Sequence, residues 1–333
     1  MTPTCGSTAA TASTAATAST ATTAGTAATT AGLAGGAVAV PTGATTAAAL
    51  TRGTPPPSRY VDTGQHRFHL LEAGAGPATV FLHGGGPGCT GWTDFGPILP
   101  LMSGERRCLV VDLLQYGRSD KPHITGPVWD YHADALLRLF DALCLDSPDV
   151  VCNSWGGTAA LRLASLHPER VHSLVITGSM PVFHGPLAPL PERAARGRLA
   201  RDAYYGEGGP TPQKMRQLIA RLEWYDPAAI PDETVELRYE QSLDPQERAL
   251  GESGLGRGDL QDLSRDLESL AVPVLYLWGM YDAFLTPDYP LMLARMSPQG
   301  SLHVMDRASH HLQEERPAEY AAVVAGYLAS IGS

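Results

Sequence analysis

The chain has 333 residues, 44% of them hydrophobic, enough for one large domain or two small ones with a substantial core. A formal net charge of −10 argues against nucleic acid or an anionic membrane as partner. No apolar run is long enough to span a bilayer. The five cysteines (Cys5, Cys89, Cys108, Cys144 and Cys152) are scattered without metal-ligand spacing, and read as reduced thiols of a cytoplasmic protein.

Residues 1–50 are almost entirely Ala, Thr, Gly and Ser, with no charge before Arg52. Such a tract has no large side chains to bury and cannot offset the entropy of ordering, so it reads as a disordered tail. It lacks the basic start of a signal peptide and the arginines of a transit peptide. Pro55-Pro56-Pro57 then forms a stiff boundary. Residues 60–71, broken at Gly64-Gln65, read as a β-hairpin. Residues 78–82 form a short buried strand that runs into His83-Gly84-Gly85-Gly86-Pro87-Gly88. A helix is expected over 92–102, a second buried strand over 107–114, and a helix over 129–145. Strand 149–153, helix 155–166 and strand 171–177 follow.

The alternation breaks over residues 180–266, where no strand is read and segments 212–224 and 232–242 have helical patterns. It resumes with strand 272–278, helix 290–296, strand 301–305 and amphipathic helix 317–331. Strands alternating with helices imply an α/β fold built on a mostly parallel sheet with helices on both faces. The expected organisation is a tail over 1–55, a first core part over 56–179, an inserted helical cap over 180–266 and a second core part over 267–333. A cap so placed covers the carboxyl edge of the sheet, where open α/β folds bind ligands.

At Val150-Val151-Cys152-Asn153-Ser154-Trp155-Gly156-Gly157 an apolar run ends at Asn153, and a small-residue helix start follows one serine. This is the pattern of a nucleophile elbow, a strand and a helix joined by a strained turn that carries the nucleophile. The residues two before and two after the serine must be small. Gly156 meets that demand, and Cys152 stands where glycine is usual. Trp155 N–H at the helix start would face developing negative charge. Taken alone, the motif leaves an ordinary strand-to-helix turn equally open.

A serine hydroxyl needs a base, and the base needs an orienting acid, here in the order Ser, Asp, His. Trp278-Gly279-Met280-Tyr281-Asp282 puts a carboxylate just past a strand end, so Asp282 is the expected acid. Asp288 reads instead as the first turn of the next helix. Ala308-Ser309-His310-His311 follows the next strand, and His310 or His311 is the base. The His83–Gly88 glycine run offers a second oxyanion donor, the N–H of Gly85, to join Trp155.

These motifs resemble the meta-cleavage product hydrolases, serine C–C hydrolases of the α/β-hydrolase fold. The resemblance covers about residues 59–331. It rests on HGGGPGCTGW (83–92), YGRSD (116–120), NSWGG (153–157), residues 278–287, and His310 with Gln313 and Glu315. The cap adds Pro210-Thr211, Lys214-Met215, Tyr225-Asp226 and Leu237-Arg238-Tyr239-Glu240. The spacing to Gln313, Glu315 and Pro317 favours His310 as base. By resemblance, Arg238 pairs with the substrate's carboxylate or dienol oxygen. Gly84, Gly86, Asp94, Asn153 and His311 are expected to line the substrate beside it.

Three positions depart from the family pattern: Cys152 for glycine, His311 for tryptophan, and Asp94 for asparagine. An aspartate at 94 would repel a carboxylate substrate unless protonated or paired. The resemblance implies hydrolysis of a C–C bond in a vinylogous 1,5-diketone acid of the 2-hydroxy-6-oxohexa-2,4-dienoate type. The dienol ketonises with help from Arg238 and His310, Ser154 attacks the distal ketone, and water releases the acyl group. No metal or organic cofactor is required. The expected partner is a small-molecule substrate, and a homo-oligomer is compatible with the sequence. An esterase, lactonase or amidase with the same triad is the first alternative, and a hydrolase-fold binding protein the second.

Overall fold

The structure, a computed structural model, describes residues 54–184, 189, 191–253 and 256–332. Most of the expected tail lies outside the described residues. Among those described, ten strands form: β1 (Ser58–Asp62), β2 (Arg67–Ala73), β3 (Ala78–Leu82), β4 (Arg107–Val111), β5 (Ile124–Pro127), β6 (Asp149–Asn153), β7 (Ser173–Thr177), β8 (Arg257–Asp259), β9 (Val274–Gly279) and β10 (Gly300–Met305). Eight of them make one sheet in the order β1-β2-β4-β3-β6-β7-β9-β10, while β5 and β8 pair with each other. The expected hairpin is β1–β2, antiparallel, and β2 also pairs antiparallel with β4. From β4 to β10 every pairing is parallel.

The strands alternate between two cores, as a sheet covered on both faces must. Val80, Leu82, Val150, Cys152, Leu174, Ile176, Val274, Tyr276 and Trp278 enter one core, with Trp129, Leu136, Phe140 and Leu161 from helices Val128–Ala142 and Ser154–Leu166. Phe81, Val151, Val175, Leu275 and Leu277 enter the other, against Phe95, Tyr320 and Val324. Leu82, Cys152, Ile176 and Tyr276 are register partners across β3, β6, β7 and β9. Their carboxyl ends therefore line up, and the loops carrying His83, Ser154, Gly178 and Asp282 leave from one edge. The chain order reverses around β3, which lies between β4 and β6. In an open α/β sheet such a switch point is where a ligand crevice opens.

Two expectations need correction. The single helix expected over 92–102 is two short helices, Gly91–Phe95 and Leu99–Met102. Pro97 has no N–H with which to continue the first one. The segment 180–266 also does contain a strand, β8, which pairs with β5. At three residues, with Gly256 and Gly258 both at positive φ, it is too short for an alternating pattern to show.

Between β7 and β9 the chain is otherwise mainly helical, including Arg196–Tyr205, Pro212–Leu222 and Asp232–Gln241. The middle helix begins as its sequence dictates. The Thr211 side chain caps Lys214 N–H at 3.1 Å, and Pro212 occupies the first position, where its missing N–H costs nothing. Met215, Leu218, Ile219 and Leu222 form its buried stripe. With Tyr204, Trp224, Ile230 and Val235, the first three of these build a third core.

Candidate active site

Ser154 follows β6 directly and starts the helix Ser154–Leu166 with φ +48°. A non-glycine residue held there stores strain of about 1–3 kcal/mol, and only surroundings that fix it keep it there. Those surroundings are visible. Gly156 N–H donates to His83 O at 3.1 Å, and a Cβ on Gly156 would lie 2.5 Å from Leu82 O. The Ser154 carbonyl accepts the Ser179 hydroxyl at 2.7 Å. Gly157 leaves the room for this, since a Cβ there would sit 2.1 Å from Ser179 Oγ. Cys152, by contrast, points from the strand into the core beside Leu82 and Ile176, so a small side chain fits where glycine was expected.

Asp282 and His310 meet beyond β9 and β10. One Asp282 oxygen accepts the N–H groups of Phe284 and Leu285 at 2.8 and 3.0 Å, and the other lies 2.8 Å from His310 Nδ1. Phe284 also packs on the His310 ring, centroid to centroid 4.5 Å. On the other side the ring lies against Gly178, where a Cβ would come within 2.5 Å of it. Asn153, the residue before Ser154, donates from Nδ2 to the His310 carbonyl at 3.0 Å. The turns bearing Ser154 and His310 are thus tied directly. His311 takes a different acid, with Nδ1 2.5 Å from Glu314. Asp288 begins helix Asp288–Met296 and accepts the Thr286 hydroxyl, as expected of a first-turn residue.

The glycine loop after β3 is fixed from several sides. Leu113 N–H donates to His83 Nε2 at 2.9 Å, so the ring proton sits on Nδ1 and is donated to Gly84 O at 2.7 Å. Gly84 N–H donates to buried Asp94 at 2.8 Å, and the Thr93 hydroxyl donates to the same carboxylate. Asp94 is therefore engaged by the protein and holds the loop. Gly85 touches Trp155: a Cβ on Gly85 would be 3.2 Å from Trp155 Cβ and 3.0 Å from the Tyr116 hydroxyl. That hydroxyl donates to Gly85 O at 3.3 Å and accepts from Arg257 at 2.8 Å.

Arg238 requires the main correction. Expected to offer its guanidinium to a substrate carboxylate, it is fully buried. It makes a two-pronged pair with Glu223 at 2.9 and 3.0 Å and donates twice to Pro87 O, at 3.1 and 3.0 Å. Glu314 lies 3.9 Å away. Its partner in the free protein is thus Glu223 and not Asp94. Arg238 pins the glycine loop, and Gly88 is packed so tightly on the Arg238 carbonyl that no Cβ would fit. Burial alone would raise the Glu223 carboxyl, but Arg238 and His311 hold it down at about 2. Burial would lower His311, but Glu223 and Glu314 hold it up at about 9. His311 is buried beside these acids; Gly84 and Asn153 are buried elsewhere in the site, whereas Gly85, Gly86 and Ser154 are partly open.

Sequence reasoning missed Glu223, Glu314 and Tyr116. The only local signal was the charge of Glu223 between apolar and aromatic neighbours, at Leu222-Glu223-Trp224. Cys89, Asp94 and His311 bring potential ligand atoms within 4.8 Å of one another. Asp94 is already hydrogen-bonded and His311 ion-paired, and burial raises the Cys89 thiol well above its ordinary range, so we assign no metal to them. No helix among the described residues is long and apolar enough to cross a membrane.

A model of the alpha/beta hydrolase fold family matches residues 77–317. The 2-hydroxymuconate semialdehyde hydrolase of Pseudomonas sp. (strain CF600) is 30% identical over 292 residues, covering 84% of this chain and 96% of that one. The 2-hydroxy-6-oxo-2,4-heptadienoate hydrolase of Pseudomonas putida is 30% identical over 278 residues, covering 82% and 96%. The solved structure of 2-hydroxy-6-oxo-6-phenylhexa-2,4-dienoate hydrolase from Rhodococcus sp. strain RHA1 is similar with a TM-score of 0.71 at 27% identity, covering 82% of this chain and 98% of that one. The chain belongs to the alpha/beta hydrolase fold family, and it is a hydrolase related to enzymes of 2-hydroxy-6-oxodienoate cleavage.

Proposed function

We propose that this enzyme is a serine hydrolase with Ser154 as nucleophile, His310 as base and Asp282 as orienting acid. It cleaves a C–C bond in a vinylogous 1,5-diketone acid. The observation that carries the triad is the 2.8 Å contact of His310 Nδ1 with an Asp282 carboxylate that the next turn already orients. That contact leaves Nε2 to take the serine proton. Ser154 then adds to the distal ketone. The developing oxyanion is met by Trp155 N–H, in the first helical turn where no intrahelical acceptor exists, and by Gly85 N–H, since Gly84 N–H is held by Asp94. Collapse of the tetrahedral adduct breaks the C–C bond. The electron pair leaves on carbon as a dienolate, which a proton quenches. Water, deprotonated by His310, releases the acid from Ser154.

The choice of a dienoate rests on the relatives, whose names specify such substrates. One observation favours the second reading, an esterase or lactonase of neutral substrates: the arginine expected to bind the substrate acid is neutralised by Glu223. Fluorophosphonate labelling with peptide mapping tests the triad. A single adduct on Ser154, lost in Ser154→Ala, is expected. An unlabelled protein, or an adduct elsewhere, would overturn the assignment and favour a binding protein.

A further inference from the structure

The glycine loop after β3 is held from two sides. The sheet side fixes its first peptide unit. His83 Nδ1 donates to Gly84 O at 2.7 Å, and a planar trans peptide then turns the Gly85 N–H the opposite way. The residues that follow are held by the mainly helical segment between β7 and β9, from three of its elements. Arg257, in β8, donates Nη1 to the Tyr116 hydroxyl at 2.8 Å and Nε to Leu250 O at 3.3 Å, and that hydroxyl donates to Gly85 O at 3.3 Å. Arg238, in helix Asp232–Gln241, donates twice to Pro87 O at 3.1 and 3.0 Å. Glu247, in helix Pro245–Ser253, accepts Gly88 N–H at 3.4 Å.

Pro87 O and Gly88 N–H are the two ends of one peptide unit. A cation holds the negative end of its dipole and a carboxyl group the positive end, and the two come from different helices. Glu247 is a poor choice for stability alone. It is 2% exposed, and its Oε2 has no hydrogen-bond partner among the described residues. Burial pushes it up to about 7, against the pull of Arg257 and Lys121. A buried acid with an idle oxygen destabilises a fold relative to an apolar side chain of similar size. Its other oxygen reaches the glycine loop. Arg257 is equally fixed: its strand pairs with β5, and Gln115 Nε2 holds the preceding Gly256 carbonyl at 2.6 Å.

We propose that the segment between β7 and β9 sets the oxyanion hole: through Glu247, Arg238 and the Arg257–Tyr116 pair it holds residues 85–88 so that Gly85 N–H meets the adduct on Ser154. Glu247 and Tyr116 are positioning residues for catalysis. The loop borders both the nucleophile and the other donor. A Cβ built on Gly84 would lie 3.5 Å from Ser154 Cβ, and one on Gly85 would lie 3.2 Å from Trp155 Cβ. A loop that slackens at 85–88 therefore changes the spacing between the two N–H groups. The inference rests on the roles given above to Ser154 and Gly85.

The test measures turnover of p-nitrophenyl butyrate, melting temperature and amide hydrogen exchange at Gly85, Gly86 and Gly88, on the full chain. Deleting an oxyanion donor outright costs about 10²–10³-fold in kcat, and loosening one should cost less. Glu247→Met and Tyr116→Phe should each lower kcat about tenfold while KM stays within about twofold, as for an interaction made in the transition state. Glu247→Gln keeps an oxygen for Gly88 N–H and should recover most of the wild-type kcat. Glu247→Met should melt at the wild-type temperature or above it, because the idle carboxyl oxygen is gone. Exchange at the three glycines should quicken in Glu247→Met and Tyr116→Phe, a readout that needs no turnover. Exchange at the wild-type rate in both variants overturns the inference, and so does faster exchange with unchanged kcat. A kcat loss in Glu247→Met that accompanies a lower melting temperature, and that Glu247→Gln does not recover, makes Glu247 a structural residue and also overturns it. Ser154→Ala is measured beside them. Ester turnover that survives there is the failure of the triad, whereas native loop exchange beside an inactive Ser154→Ala is the failure of this inference alone.

Discussion

Single backbone positions decide whether the chemical groups meet. Gly178 is the clearest case: φ is +64° and a Cβ would overlap the His310 ring. Gly178→Ala must therefore move either the β7 loop or the imidazole. We expect kcat to fall at least about 100-fold, as for other misplacements of about 1 Å, while far-ultraviolet circular dichroism stays native. Unchanged kcat would show that His310 is not where the chemistry occurs. The adjacent histidines separate on the same logic. His310→Ala should cost about 10⁴–10⁶-fold in kcat, as loss of a triad base does. His311→Ala removes a charge from a buried ion cluster and should act mainly on stability. The reverse ranking would move the base to His311. The spacing to Gln313 and Glu315 favoured His310 in the sequence, and His310 is the histidine that contacts Asp282. The partners of Arg238 were not legible. Glu223 lies 15 residues away on a different turn, and only folding brings its carboxylate into the guanidinium fork.

Helices and loops, in turn, are joined by buried charge. Arg238 on helix Asp232–Gln241 grips Glu223 at the end of helix Pro212–Leu222 and Pro87 in the glycine loop. Arg238→Met strands the Glu223 carboxylate and should destabilise by about 3–5 kcal/mol in urea unfolding. The double variant with Glu223→Leu should recover part of that loss, because the orphaned charge is gone. Full additivity of the two losses would mean that the groups do not act as a pair. The same cluster sets a pH window. His311 is raised to about 9 from 6.5, so its contribution is fully present below about pH 6.5 and is lost as pH rises through about 9. Glu223 is lowered to about 2 from 4.5, so its contribution is present above about pH 4.5 and is lost as pH falls through about 2. Melting temperature should hence fall by several degrees between pH 7 and pH 10, and His311→Gln should flatten that fall. An equal fall in the variant would remove His311 as the cause.

For the whole molecule, pattern strength governed what could be read. Buried parallel strands such as residues 150–153 and 274–278 are near-continuous apolar runs, and each precedes a loop with chemical side chains. The sheet and the groups at its carboxyl edge follow from that. Strand β8 was invisible because three residues, with one glycine before them and one among them, carry no period. The break at Pro97 was legible in principle, yet the apolar run 98–102 suggested one continuous helix. The charge network was beyond reach because its members come from separate turns.

The most direct test of the account compares two substrates on one enzyme. Steady-state kcat/KM is measured for a coloured 2-hydroxy-6-oxohexa-2,4-dienoate and for p-nitrophenyl butyrate, in wild type and Ser154→Ala. The account predicts at least about tenfold preference for the dienoate, acid products from C–C cleavage, and loss of both activities in Ser154→Ala. Ester turnover without dienoate cleavage, or dienoate cleavage that survives loss of the Ser154 hydroxyl, would contradict it.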